Sequence, residues 1–311
     1  MISFLSSKIV KYIHLIINSL ISLFCFKLNA YLQPEKTPLV NYLKPIHLTE
    51  SDSGIDLIDC IYVINLDSRP NRWERMQTLL KEQGLRANRV SAINGWELSE
   101  LDKKEMAGPY PVRLLGGPLG CLLSHFSIYQ DALNRGFNRI WVLEDDADFV
   151  GDVHLIPQFL EKLSTIDPLW DVLYTDMDCK DPENGCYTFD DGEIGRPDQI
   201  LLPEEYYQTR DPLGDKIVRT RGRYGMTSVL LSKNGLKKIT DYLSHVYAWT
   251  AIDCDIHFIP TIRQYSIEEE IVTNLRDDSL SDTKSWSELN PDPLKQETKR
   301  TSVTQPFRNL N

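Results

Sequence analysis

Four uninterrupted apolar residues, Ile140-Trp141-Val142-Leu143, run straight into three adjacent acids, Glu144-Asp145-Asp146. A short apolar run without polar alternation fits a strand buried on both faces, as in an α/β sheet covered by helices. Three neighbouring carboxylates at the end of such a strand repel one another unless something cationic sits among them. A hard divalent ion, Mn²⁺ or Mg²⁺, takes oxygen ligands and would use one or two of these side chains together with a substrate's phosphates. The plainer alternative is a solvated acidic turn in which Asp146 or Asp148 caps the next segment.

The rest of the chain alternates strand and helix signals around this feature. Ile58 to Leu66 is apolar, β-branched and of strand length. Asp67-Ser68-Arg69-Pro70 then reads as a helix start, with Ser68 as cap and Pro70 in the first turn. Trp73, Met76, Leu79 and Leu80 follow at helical spacing up to Gly84, and Leu85 to Ile93 reads as a second strand. Gly120 to Leu133 carries Leu122, Leu123, Phe126, Tyr129 and Leu133 on helical spacing, closed by Gly136. Trp170 to Tyr174 and Met226 to Leu231 are further strands, and Ser232 caps a helix bearing Leu236, Ile239 and Leu243. The expected fold class is therefore α/β, with a mostly parallel central sheet covered by helices and ligands gathered at the carboxyl ends of its strands.

Charge narrows the partners. Of the 311 residues, 34 are Lys or Arg and 45 are Asp or Glu. The resulting formal charge of −11 repels phosphate backbones, which argues against a nucleic-acid partner. An anionic ligand would need local arginines or a metal. The six cysteines show neither a zinc-ribbon spacing nor a disulfide scaffold.

Between Lys11 and Lys27 lie 15 uncharged, mostly Ile, Leu and Phe residues, which as a helix would reach only ~22 Å of a ~30 Å hydrocarbon core. Residues 1–32 thus read as a signal peptide or membrane anchor, with membrane contact through residues 8–28, in the secretory pathway or at a membrane, the cytoplasmic face included. Residues 33–56, with Pro34, Pro38 and Pro45, read as a linker. Residues 57–278 form the expected folded domain, and 279–311 a flexible tail.

Several side chains could carry chemistry. Asn65, Asp67, Arg69 and Arg72 gather where the first strand meets its helix, and arginines there can clamp a phosphate. Arg219, Arg221 and Arg223 make a positive spot before Tyr224-Gly225. Asp253 and Asp255 alternate with apolar neighbours, so in an extended segment both would face one side, as a general base or as metal ligands. Solvated faces are the alternative reading for each group. His125 sits on an otherwise apolar helix and is read by itself as a core or capping residue.

Five segments in order, Tyr62 to Arg72, Gly120-Cys121-Leu122-Leu123-Ser124-His125, Val142 to Asp146, Gly225 to Gly235, and Ile252-Asp253, resemble glycosyltransferase family 25, the family of bacterial lipooligosaccharide galactosyltransferases and procollagen galactosyltransferases. The resemblance implies a GT-A-like nucleotide-sugar-binding fold and a hexosyltransferase. The hexose, galactose or glucose, would pass from a UDP-sugar to a hydroxyl of a glycan, lipid-linked glycan or protein acceptor, with inversion. It also implies Mn²⁺ or Mg²⁺ at Glu144, Asp145 and Asp146, and donor contacts from Asn65, Leu66, Arg69, Arg72, Gly120, Ser124, His125 and Arg223. Asp253 or Asp255 would be the base. Pro118, Val229 and Ala251 depart from the family pattern on what is expected to be the acceptor side. A non-catalytic nucleotide- or glycan-binding relative and a metal-dependent phosphohydrolase are the alternatives.

Overall fold

The protein is described by a computed structural model covering residues 36–180, 187 and 195–275. The expected leader or anchor and the expected tail lie outside the described residues. No helix among the described residues is long and apolar enough to cross a membrane.

The core is one eight-stranded sheet. In chain order the elements are β1 (Cys60–Asn65), α1 (Pro70–Glu82), β2 (Asn88–Ser91), α2 (Glu100–Ala107), α3 (Gly116–Arg135), β3 (Arg139–Glu144), β4 (Ala147–Phe149), α4 (Ile156–Ile166) and β5 (Val172–Tyr174). Then come α5 (Glu204–Gln208), β6 (Arg210–Gly214), β7 (Ile217–Thr220), β8 (Ser228–Ser232), α6 (Lys233–Leu243), α7 (Ile252–Asp255), β9 (Gln264–Ile267) and β10 (Val272–Asn274). The sheet order is β2-β1-β3-β8-β5-β9-β7-β6, with β4 and β10 as a separate antiparallel pair. β1 runs parallel to β2 and β3, whereas β8 is antiparallel to both β3 and β5.

Both faces are covered, as the unbroken apolar runs require. Tyr62, Ile64, Ile140, Val142, Val229 and Leu231 pack on one side with Leu122, Leu123 and Phe126 of α3 and Leu236 and Ile239 of α6. Ile61, Val63, Trp141, Leu143 and Leu230 pack on the other with Met76 and Leu80 of α1 and Phe159, Leu160 and Leu163 of α4. The strict alternation of these sets along β1 and β3 is the two-residue period of a strand with no wet face.

Two local expectations change. Helix α1 starts at Pro70, but Arg69 and not Ser68 is its N-cap, and no side chain caps it. Residues 36–56 are not a free linker. Pro38–Tyr42 forms a 3-10 turn, Leu39 is fully buried, and Thr37 bonds to the Ser244 and Val246 carbonyls. Lys44 N–H bonds Ser127 Oγ, while the N–H groups of Thr49 and Glu50 share Asn88 Oδ1 at 2.7 and 2.8 Å. Pro38 and Pro45 limit the segment's unfolded conformations without preventing it from lying across the core.

Because β8 runs opposite to β3 and β5, its first residues, not its last, meet their carboxyl ends. Glu144 N–H bonds Thr227 O at 2.9 Å, and Thr175 N–H bonds Ser228 O at 3.2 Å. The ends of β1, β3 and β5 and the loop entering β8 therefore share one rim.

Candidate functional site

On that rim opens a cleft of about 660 Å³, open solvent included. Ile64, Leu66 and Arg72 line one wall, Asn94 to Trp96 a second, Gly117, Gly120, Cys121 and Ser124 a third, and Glu144, Asp145 and Asp146 the floor. The third wall is the beginning of α3, a 20-residue helix whose first turn has no side-chain cap. The dipole and first-turn amides of this helix start, of which Pro118 supplies none, give the cleft a positive end suited to an anion.

Three glycines let this wall approach. A Cβ on Gly120 would stand 2.2 Å from Ile93 O, and one on Gly95 would stand 1.9 Å from Gly116 O. Gly116 has φ +51° and lies under the Trp96 ring, which is 49% exposed at the rim. Ser124 locks the contact: its Oγ accepts from Ile93 N–H at 2.8 Å and donates to Gly120 O at 2.7 Å.

The acid triplet divides its labour. Both Asp145 oxygens are engaged inside the protein, one accepting from Asn65 Nδ2 at 2.6 Å and the other from Arg72 at 2.8 Å. Burial raises its carboxyl above the usual range, and the Asn65 and Arg72 contacts oppose that shift. Asn65 is itself saturated, since it also donates to Arg69 O and accepts from Arg89. Asp146 differs. Its Oδ1 is buried with no hydrogen-bond partner, and burial, then Glu144 and Asp145, push its carboxyl up to about 7. Glu144 is partly open, with Oε1 3.5 Å from both Cys121 Sγ and His125 Nε2.

Other predicted residues fall elsewhere. Asp253 accepts the Gly225 N–H at 2.8 Å, at a glycine with φ +91°. Burial raises its carboxyl, and Glu144 is a like-charged neighbour that adds to this. Asp255 does not face the same way, because α7 is a helical turn, not an extended segment. Its carboxylate is fully buried and held by Arg196 at 2.9 and 3.1 Å and by Tyr242 OH at 3.1 Å, so it is a structural ion pair and not a candidate base. Arg223, expected at a phosphate, is buried against the Tyr174 ring and gives its guanidinium to Asp176 at 2.8 Å. It braces the loop entering β8. Arg69 contributes its carbonyl to Asn65, and His125 stands behind the cleft wall.

The sequence reading missed Cys121, Trp96 and Asp176. Asp176 follows β5 as Glu144 follows β3; burial pushes its carboxyl up to about 6, against the opposing effect of Arg223. Its signal was an acid just past a short apolar strand.

The sequence profile of glycosyltransferase family 25 (LPS biosynthesis protein) matches residues 58–256. Over 190 residues the chain is 30% identical to human inactive glycosyltransferase 25 family member 3, covering 58% of this chain and 29% of that protein. Over 121 residues it is 35% identical to a Drosophila melanogaster glycosyltransferase 25 family member, covering 36% and 20%. Human procollagen galactosyltransferase 2 is 33% identical over 141 residues, 40% of this chain and 22% of that protein. The matched stretches thus span less than a third of these relatives' lengths.

Proposed function

Because the chain belongs to glycosyltransferase family 25, we propose that it transfers a hexose from a nucleotide-sugar donor to an acceptor hydroxyl in the cleft between Arg72, Trp96 and the acid triplet. The name of the procollagen relative makes UDP-galactose the first donor to try, and a glycan or protein hydroxyl the acceptor. The observation that carries the reading is Asp146, a partly exposed side chain whose buried Oδ1 has no hydrogen-bond partner, on the floor of a cleft that also presents an arginine and the start of a helix.

An oxygen-rich donor set with one uncompensated carboxylate fits Mn²⁺ or Mg²⁺, which Asp146 would hold with Glu144. Asp145, whose oxygens accept from Asn65 and Arg72, would orient the triplet beside that ion. Bound there, the ion would supply Lewis-acid stabilisation of the charge on the departing diphosphate.

The chain's own residues provide the remainder. Arg72, held in place by Asp145, offers a fixed positive group beside the cleft. The first turn of α3 adds amides for phosphate oxygens. Trp96 offers an exposed ring against which a base or sugar can stack. Asp253 is the base: it removes the proton from the acceptor oxygen as that oxygen attacks the anomeric carbon. Burial raises its carboxyl and so strengthens it as a proton acceptor. One displacement of this kind inverts the anomeric centre.

The test is nucleoside diphosphate release from a panel of UDP-, GDP- and CMP-sugars, with and without Mn²⁺. Asp146→Asn should retain the fold and lose at least ~100-fold of the metal-dependent rate, the scale of removing one electrostatic stabiliser. An unchanged rate would remove Asp146 from the site. The name of the human relative as inactive keeps a second reading alive. A binding protein of this fold would take up the nucleotide but release no diphosphate under any condition.

A further inference from the structure

Where the third wall of the cleft meets its floor, Cys121, His125 and Glu144 each offer one ligand atom, and these atoms lie within 4.8 Å of one another. Cys121 and His125 are four residues apart on α3 and share a face. Glu144 arrives from the end of β3. Its Oε1 is 3.5 Å from Cys121 Sγ and 3.5 Å from His125 Nε2. Ligands around a tetrahedral ion bound at ~2.0–2.3 Å stand ~3.3–3.7 Å apart; both Glu144 separations fall in that range, and the Cys121–His125 pair lies within 4.8 Å.

Two further observations point to a ligand. His125 is fully buried, yet its Nε2 has no hydrogen-bond partner. Its Nδ1 lies 3.0 Å from Tyr129 OH, the contact to a partner that orients metal-binding histidines. When Nδ1–H donates to the phenol, Nε2 presents its lone pair to the cluster. Cys121 and Glu144 also line the cleft, which leaves a fourth position open to solvent.

We propose that Cys121 Sγ, His125 Nε2 and Glu144 Oε1 bind a borderline-soft divalent ion of the zinc class, with water in the fourth position. One sulfur, one nitrogen and one oxygen donor suit Zn²⁺ or Co²⁺ and suit Mg²⁺ poorly. Binding forms the metal–sulfur bond and releases the thiol proton to solvent, with no change of oxidation state. Burial, with Glu144, Asp253 and Asp146 nearby, keeps the unliganded thiol protonated, and the same carboxylates attract a cation. The ion would pin the start of α3 to the end of β3 and fix Glu144 at the cleft floor. This site uses Glu144 Oε1 and shares that carboxylate with the ion proposed at Asp146, but it does not depend on sugar transfer.

The test uses the full chain without a histidine tag, dialysed against Zn²⁺ and, separately, Co²⁺. A single zinc should stay with each wild-type chain, and Co²⁺ should give a thiolate-to-cobalt charge-transfer band. Cys121→Ser should abolish the band, and Cys121→Ser and His125→Gln should each weaken zinc binding by at least ~10–100-fold, the loss seen even for outer partners of a metal site. Asp146→Asn should keep both zinc and the band. A wild-type chain that shows no cobalt–thiolate band overturns the proposal whether or not the variants fold. A band that survives in folded Cys121→Ser overturns it as well. Because the readout is bound metal, failure here leaves the transfer assay untouched, and failure of transfer leaves this result standing.

Discussion

His257 should make the protein acid-labile by an amount that can be isolated. The ring is buried beneath the loop entering β8, where Gln264 Nε2 donates to Nδ1 at 2.7 Å, while Nε2 lies 2.9 Å from Arg223 O and 3.1 Å from Arg223 N; in the tautomer that Gln264 selects, Nε2–H donates to that carbonyl. Tyr174 OH donates to Gln264 Oε1 and fixes the amide in that orientation. A proton added at Nδ1 would face the amide's own donors. Burial, with Arg210 and Arg223 adding repulsion, lowers the imidazolium pKa from 6.5 to about 3. Between these values the unfolded chain binds a proton that the folded chain refuses, so stability falls as pH falls. The full loss is about 5 kcal/mol, of which about 3 kcal/mol is reached by pH 4. His257→Gln does not titrate. At pH 7.5 it should be less stable than wild type by about 1–2 kcal/mol for its imperfect hydrogen bonds. By pH 4 the order should reverse, with the variant ahead by a similar amount. Urea unfolding at four pH values between 7.5 and 4 measures this. A wild-type-minus-variant difference that stays constant within roughly 0.5 kcal/mol, the usual scatter of such differences, would refute the reasoning.

Asp255→Asn should lower stability by about 3 kcal/mol, the lower end for a broken buried pair because Asp198 still faces Arg196. The folded fraction should turn over with near wild-type kcat, and a kcat loss without destabilisation would restore Asp255 as a catalytic residue. Gly120→Ala should cost about 1–3 kcal/mol, since its methyl meets the Ile93 carbonyl. It should also weaken nucleotide binding by displacing the Asn94–Trp96 wall. Denaturant midpoints and a fluorescent-nucleotide titration check both, and a silent substitution would show that the loop is not pressed against α3.

The elements that alternate most cleanly were legible. β1 and β3 have no polar break, and α6 pairs a Ser232 cap with Leu236, Ile239 and Leu243 as expected. The start of α3 was less so. Gly116, Gly117 and Pro118 read locally as breakers, yet proline is accepted in a first turn and Gly116 is needed for contact with Trp96 and Gly95. For the site, the strand-end acids could be picked out, but not which of them is spent internally. Asp145 is engaged by Asn65 from 80 residues away and Asp255 by Arg196 from 59, distances no local pattern reveals. Cys121 and His125 had a visible four-residue spacing, but their third partner comes from another element.

The strap formed by residues 36–56 has a bearing on where this unit begins. Similarity to the family starts at residue 58, yet the hydrogen bonds closing Asn88, Ser127 and the Ser244 carbonyl come from Thr37 to Glu50. A chain trimmed at the edge of the resemblance would uncover the apolar surface under Leu39 and Ile46 and unpair polar groups on β2, α3 and the end of α6. Ancestry and mechanical integrity set different borders here, and folding obeys the second.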